Sequence, residues 1–325
     1  MRAIVVQEYG GPEVLQPQER PEPRPGPGEI TILVAYAGVN FADLKARESG
    51  YRVPALPFVP GLEVSGRIRA VGEGVTGLAA GQPVTAMLSG GGYADVAVAR
   101  AALTLPVPDG LDLPSAASLI TVLPTAYALV HDVARIRSGE SILIQSAAGG
   151  VGTVAGQVAR LAGAAAVYGV VSRPEKVEYA LGYGYDEVFL EADFDERVRQ
   201  ATGGRGVDVV LDPVGGETWR RGLASLAVFG RAVAFGNASG AKPWAAGLAE
   251  LAPRSLGVHG FSILSLAAAS PERLRVLAGA ALRLATEGRV RVPITAEFPL
   301  EQAAEAHRLI GSRTSTGKIL LQANA

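Results

Sequence analysis

The stretch Ser141-Ile142-Leu143-Ile144-Gln145-Ser146-Ala147-Ala148-Gly149-Gly150-Val151-Gly152 limits this chain to a small set of folds. It reads as a buried strand that runs into a glycine turn and then a helix from Thr153 to Leu161. Such a turn has almost no side chain to keep a ligand off the backbone. Its free N–H groups and the positive end of the helix dipole face any pyrophosphate set against it. Ala148, Gly149, Gly150, Val151 and Gly152 are therefore expected to cradle a dinucleotide, the plainer alternative being a tight turn with no ligand. The next apolar run, Val167–Val171, ends in Ser172-Arg173-Pro174-Glu175-Lys176. An acidic side chain there suits the ribose hydroxyls of NAD, whereas basic groups suit the extra phosphate of NADP. Ser172, Arg173 and Lys176 thus point to NADPH, although each would also serve as a solvated group after a strand.

Charge and composition exclude several classes of function. The formal net charge of -1 leaves no electrostatic footprint for nucleic acid or an anionic membrane. Apolar runs are short and broken by Gly, Pro or charge, so none is expected to span a bilayer. The opening Met1-Arg2-Ala3-Ile4-Val5-Val6 goes straight into strand-like sequence and does not resemble a signal peptide. The chain has no cysteine, which removes disulfides, thiolate metal ligands and a cysteine nucleophile together. A cytoplasmic enzyme acting on a small molecule is the expectation.

At 325 residues the chain is long enough for two cores. Short strand-like runs such as Ile30–Val34 and Val64–Ile68 sit between Pro/Gly clusters in the first hundred residues, the texture of an irregular antiparallel domain. From about Ser115 the texture changes. Helical segments, Ser115 to Val130 and Thr153 to Leu161, alternate with strands at Ile142–Gln145, Val167–Val171, Glu187–Leu190, Val207–Asp212, Arg231–Phe235 and Val258–Phe261. That alternation argues for βαβ units in a parallel sheet. A helix opening at Ser270-Pro271-Glu272, a second over Glu301–Ile310 and a strand at Lys318–Leu321 form a tail too short for its own core.

Several segments together resemble the zinc-free quinone oxidoreductases of the medium-chain dehydrogenase/reductase superfamily. They are Asn40-Phe41-Ala42-Asp43, Pro60-Gly61-Leu62-Glu63-Val64-Ser65-Gly66, Val71-Gly72-Glu73-Gly74-Val75, Thr125-Ala126-Tyr127, Ala147–Gly152 and Thr316-Gly317-Lys318, in family order over nearly the whole length. The resemblance implies an α/β fold: a GroES-like β-rich catalytic domain over 1–118, a Rossmann doubly wound parallel-sheet domain over 119–264, and a C-terminal return over 265–325. It further implies NADPH in a cleft between the domains, reduction of a quinone or activated alkene, and a homodimer paired through the edge strand near Val258–Phe261.

Zinc-dependent relatives carry Cys and a Gly-His-Glu triplet at the catalytic ligands. Here the triplet reads Gly61-Leu62-Glu63, there is no Cys, and His131, His259 and His307 stand isolated. Zinc of the usual kind is not expected, and with it goes the Lewis acid that stabilises alkoxide charge in alcohol oxidation. Hydride addition to an electron-poor acceptor stays feasible, because that substrate delocalises the negative charge itself.

The resemblance also assigns individual residues. Phe235, Gly236 and Asn237 after the fifth strand, and Phe261, Ser262 and Ile263 after the sixth, lie where relatives run along the cofactor. The alternative for both is a strand-end loop filling the cleft floor. Relatives often place a Tyr after the third strand near the 2′-phosphate, but this chain has Leu190-Glu191-Ala192. Arg313 resembles a family position that reaches the same phosphate. Asn40 resembles a residue beside the nicotinamide whose amide orients a substrate carbonyl, Thr125 one against the carboxamide. Tyr51 resembles the proton donor of related enoyl thioester reductases, with an aromatic pocket wall as the equal alternative. Asp43 reads as a structural loop partner. The acceptor is thus a quinone or other carbonyl-conjugated compound. The alternatives are an enoyl-thioester or enone (alkenal) reductase and a low-turnover NADPH-binding protein.

Overall fold

A computed structural model of the chain describes residues 1–242 and 247–324. They form two compact units, Met1–Pro124 with Leu264–Ala325, and Thr125–Ile263.

The second unit is built on six strands, of which the central ones read as continuous apolar runs because both faces are covered, the signature of a parallel sheet. Ile142, Leu143, Ile144, Val209, Val210 and Leu211 are all solvent-inaccessible. Across the sheet the order is Glu187–Leu190, Ala166–Val171, Ser141–Gln145, Val207–Asp212, Leu226–Ala234 and Gly257–Gly260, every pair parallel. The chain starts at the centre, walks out one way, and returns to walk out the other. Its direction therefore switches between Ser141–Gln145 and Val207–Asp212, and ligands dock outside the carboxyl ends at such a point. Phe189, Phe194, Val198, Trp219 and Leu223 fill the core on one side.

The first unit closes around a seven-stranded sheet whose backbone is the long strand Glu29–Val39. That strand pairs antiparallel with Glu63–Val71, Val96–Arg100 and Lys318–Gln322. The last of these brings the C-terminal tail into the first unit, with Ile294–Pro299 parallel at its outer side. Register decides what meets at the end of Glu29–Val39. Val39 faces Ile319 on one side and Ala37 faces Val64 on the other, so Asn40 emerges with Lys318 and Glu63 as its flanking neighbours.

Two elements differ from the sequence expectation. The helix expected over Ser115–Val130 is broken into Leu113–Leu119 and Val122–Ala128, followed by a π turn at Leu129–Val133. Pro124 explains the break: it lacks an N–H, and its ring collides with the carbonyl four residues earlier, which prevents a continuous ladder through Ile120. The fifth strand starts at Leu226, not Arg231, because it carries an insertion. Val207 pairs with Leu226 but Val209 with Arg231, and the extra residues push Val228 and Phe229 outward, 61% and 79% exposed. No single helix among the described residues is long and apolar enough to cross a membrane.

Candidate active site

Ala148–Gly152, Ser172–Lys176, Phe235–Asn237 and Phe261–Ile263, all expected to hold a dinucleotide, each follow the carboxyl end of a strand and so lie along one edge of the parallel sheet. The helix Gly150–Leu161 is entered from Gly149 in extended backbone. Thr153 is the first residue whose N–H turns back into the helix, bonding Gly149 O at 2.8 Å. The N–H groups of Gly150, Val151 and Gly152 precede that ladder and point along the axis, out of the helix start. Side chains are excluded here by packing as well as by function. A Cβ on Gly152 would lie 2.3 Å from the Ser146 carbonyl oxygen, and Ser146 itself takes a left-handed φ of 55°. Tyr185 Oη donates to Gly152 O at 2.6 Å, and Thr153 Oγ1 donates to Gly149 O at 2.8 Å, so the turn is pinned from below. A bare, rigid cradle with unspent donors fits a pyrophosphate.

Ser172 and Arg173 are exposed at the end of Ala166–Val171, and Lys176 closes the single 3-10 turn Pro174–Lys176. Phe235 and Phe261 each extend the ladder one residue past their strands, through N–H bonds to Asp212 O and Ala234 O. Gly236 is exposed, as is Asn237, whose side chain is engaged in its own loop, donating to Ala241 O at 2.8 Å and accepting from Ser239 Oγ at 3.1 Å. Ser262 is half-buried and Ile263 buried. Thr125 is buried in Val122–Ala128. The edge also holds Asp212, which the sequence reading treated as cleft-shaping. It is fully buried, its Oδ1 accepts the N–H groups of Val214 and Gly215, and its Oδ2 has no partner. Burial first, and then the nearby Glu191, raise its pKa.

Asn40, Tyr51 and Arg313 belong to the first unit. Arg313 is exposed, with a left-handed φ of 57°. Tyr51 follows the helix Phe41–Ser49 and is 46% exposed; its hydroxyl accepts from Arg52 Nε at 3.3 Å, which leaves the phenolic proton available to donate.

Asn40 lies at the head of that helix, half-buried, inside a polar cluster of the first unit. Lys318 Nζ spends three donors on Glu63 Oε1 (2.5 Å), Asn40 Oδ1 (2.8 Å) and Val39 O (3.2 Å). Asn40 Nδ2 donates to Glu63 Oε1 at 2.8 Å, and Glu63 Oε2 accepts the Thr121 N–H at 3.0 Å. Glu63 and Lys318 are both buried, 0% and 2% exposed, so each ion is stable only with the other. Neither stood among the sequence-predicted site residues. The available signals were a lysine opening the apolar run Lys318-Ile319-Leu320-Leu321 and a glutamate opening Glu63-Val64.

Below this cluster sits Asp43. It is buried, accepting from the Asn40 N–H at 2.9 Å and the Gly61 N–H at 3.1 Å. Gly61 has a φ of 103°, and a Cβ there would lie 2.6 Å from the Tyr93 ring, so the loop that supplies its N–H admits only glycine. Burial pushes the Asp43 carboxyl up to about 7, with its backbone donors acting against the rise. Tyr93 Oη contacts His307 Nε2 at 3.1 Å, and burial, then the Arg47 charge, lower the imidazole to about 3.

The two groups pull stability in opposite directions. Folded Asp43 keeps a proton that the unfolded chain releases, so its contribution is present at low pH and lost as pH rises from about 4 to about 7. Folded His307 refuses a proton that the unfolded chain takes up below about 6.5, so its contribution is lost as pH falls toward about 3. Between about pH 4 and 6.5 these slopes offset one another. Removing one exposes the other: denaturant midpoints at pH 4.5 and 6.5 should show Asp43→Asn losing stability on acidification faster than wild type. His307→Gln should lose it on alkalinisation over the same window.

Comparison with known proteins agrees with this architecture. An alcohol dehydrogenase GroES-like domain model matches residues 26–109, and a zinc-binding dehydrogenase model matches residues 150–280. The metal in the second description does not fit the residues present: Leu62 occupies the histidine place, Glu63 is committed to Lys318, and among the described residues no group of three or more acidic, His or Cys side chains could hold an ion. The chain is 36% identical over 304 residues to the phthioceranic/hydroxyphthioceranic acid synthase of Mycobacterium tuberculosis, covering 91% of itself but spanning only 14% of that protein. It is 36% identical to the quinone oxidoreductase of Rattus norvegicus over 99% of this chain and 97% of the other. The crystal structure of Escherichia coli quinone oxidoreductase complexed with NADPH superposes with a TM-score of 0.93 at 33% identity, covering 99% of this chain and all of that one. A match of that extent at both sequence and fold level settles the family, and this chain belongs to the quinone oxidoreductases of the medium-chain dehydrogenase/reductase superfamily.

Proposed function

We propose that this chain is a zinc-independent, NADPH-dependent oxidoreductase that reduces a quinone or another electron-poor, carbonyl-conjugated acceptor. The observation that carries the reading is the bare helix start at Gly150–Gly152, at the switch point of a parallel sheet, in a chain matched end to end by quinone oxidoreductases. When bound, NADPH supplies a hydride. The chain's own part is positional. Gly150, Val151 and Gly152 offer N–H groups to the pyrophosphate, and Ser172, Arg173 and Lys176 offer polar and cationic groups to a 2′-phosphate. Ala148, Phe235–Asn237, Phe261–Ile263 and Thr125 wall the same cofactor, with Arg313 a further cation for its phosphate. Asn40 donates an amide N–H to the acceptor's carbonyl oxygen and so favours charge build-up there.

A second reading, an enoyl-thioester or enone reductase, is favoured by the 304-residue match to a segment of the mycobacterial synthase. The two acceptors make different demands on Tyr51. A hydroquinone takes protons from water, whereas an enolate carbon needs a placed acid, and a phenol with a reference pKa of about 10 is protonated at neutral pH. NADPH oxidation should be followed with 1,4-benzoquinone beside a trans-2-enoyl thioester, with products identified. Fast quinone turnover that survives Tyr51→Phe supports the first reading and makes Tyr51 a wall. Saturated thioester as main product, lost in Tyr51→Phe, supports the second. Tight NADPH binding with negligible turnover of either leaves a binding protein.

Arg173 decides the cofactor. One charge-assisted contact to the 2′-phosphate corresponds to roughly 10- to 100-fold in KM for NADPH. Arg173→Ala should show that loss with NADPH and almost none with NADH; equal effects on both remove the assignment. We also propose a homodimer, since Gly257–Gly260 ends the parallel sheet with one side unpaired. Sedimentation at working concentration should give twice the 33.4 kDa of one chain, and a monomer at that concentration rejects the pairing.

A further inference from the structure

The Lys318 donors and the Glu63 carboxylate are engaged within the cluster, while Asn40 keeps an amide N–H over. The Lys318 ammonium has three donors and uses three; Glu63 Oε1 accepts twice and its Oε2 once. The Asn40 carboxamide gives one N–H to Glu63 and accepts from Lys318, which leaves one Nδ2–H. Flipping that amide by 180° would set its NH2 against an ammonium and its oxygen against a carboxylate. Both contacts are repulsive in a site where the two ions are almost wholly buried. The orientation is thus enforced by charge, independent of which atom is drawn as nitrogen.

We propose that Lys318 and Glu63 are positioning residues for the acceptor: they lock the Asn40 carboxamide in one orientation so that its free Nδ2–H is presented as a hydrogen-bond donor. This rests on the oxidoreductase reading above and narrows it. A fixed donor selects an acceptor oxygen, such as the carbonyl of a quinone, enone or thioester. The ion pair itself never touches the acceptor. It acts through one amide, and the strand register that delivers Lys318 from the far end of the chain fixes that amide.

The test compares a neutral pair, Glu63→Gln with Lys318→Met, against the wild type, each with and without Asn40→Ala. Replacing both ions leaves no uncompensated buried charge. In the pair variant kcat/KM for 1,4-benzoquinone should fall about 3- to 10-fold, the weight of one neutral hydrogen bond. The dissociation constant for NADPH should stay at the wild-type value. Asn40→Ala should cost a similar factor, and adding it to the pair variant should cost nothing more. Losses that multiply would mean that the pair acts independently of Asn40, and the proposal fails.

A readout free of turnover covers a pair variant that folds poorly. In the wild-type 15N amide spectrum the Asn40 side-chain signal is identified by its loss in Asn40→Ala. One of its two protons should lie downfield of the other, held by the Glu63 carboxylate while its partner is free. Two protons together at ordinary exposed-amide positions overturn the positioning role. A wild-type protein that reduces none of the acceptors would sink the oxidoreductase reading instead, while the amide spectrum would still decide the orientation.

Discussion

The pairing of Lys318 with Glu63 is the interaction on which the first unit's site depends. Two buried ions of opposite sign are tolerable only in contact, and removing one partner of such a pair costs about 3–5 kcal/mol. Their contact requires both strand registers flanking Glu29–Val39 to be correct, because a slip of one residue turns every side chain to the other face. The apolar faces specify those registers: Ile30, Ile32, Val34, Ala37 and Val39 from the central strand meet Val64, Ile68, Ile319 and Leu321 in one core. Hydrophobic patterning thus sets the strands, the strands bring the ions together, and the ions orient Asn40. The Asn40 amide orientation is three steps removed from the apolar residues that enforce it.

The second unit reaches its site by topology instead. No side chain need be placed to bind a pyrophosphate there, because the unpaired N–H groups of a helix start supply the donors. What must be arranged is the absence of obstruction. Gly152 meets that need while also letting the helix sit against the strand-end turn, with the Ser146 carbonyl in the space a Cβ would take. One glycine therefore lets the helix pack against the turn and keeps the helix start clear of side chain. Asp212, on the neighbouring strand, holds its loop through the Val214 and Gly215 N–H groups at the cost of leaving Oδ2 unpartnered. Burial, and then Glu191, raise its pKa against those two backbone donors.

Local signals were legible in the sequence and distant ones were not. The strands Glu187–Leu190 and Val207–Asp212 match the expected bounds, since short runs of apolar β-branched residues between turns have one reading. The glycine turn was legible for the same reason. The helix break at Pro124 was present in the sequence but masked by strong apolar periodicity on both sides. The Val228-Phe229 insertion was invisible because two apolar residues pushed out of a strand look like two residues within it. Lys318 and Glu63 lie 255 positions apart, and nothing local to either announces the other. Asp43 was read as a structural partner of its loop. The structure places it there, bonded to the Asn40 and Gly61 N–H groups, but at a burial that lifts its carboxyl toward neutrality, which composition could not indicate.

The donors proposed for the acceptor bear on what chemistry the chain can support. They are one amide N–H from Asn40 and one phenolic O–H from Tyr51, both neutral. A neutral hydrogen bond contributes about 0.5–1.5 kcal/mol net, whereas a metal ion acting as a Lewis acid supplies several. The cation bonded to Asn40 is Lys318, and Glu63 already neutralises it. An alkoxide formed here would find little to hold it. A quinone or enone needs less, because its own conjugation spreads the incoming charge over carbon and oxygen. Exchanging histidine for Leu62, in a chain without cysteine, shifts the burden of charge stabilisation from the protein to the substrate. On the oxidoreductase reading proposed above, selectivity would follow the electronic character of the acceptor more than its shape, and one arrangement of residues would serve both quinones and conjugated thioesters.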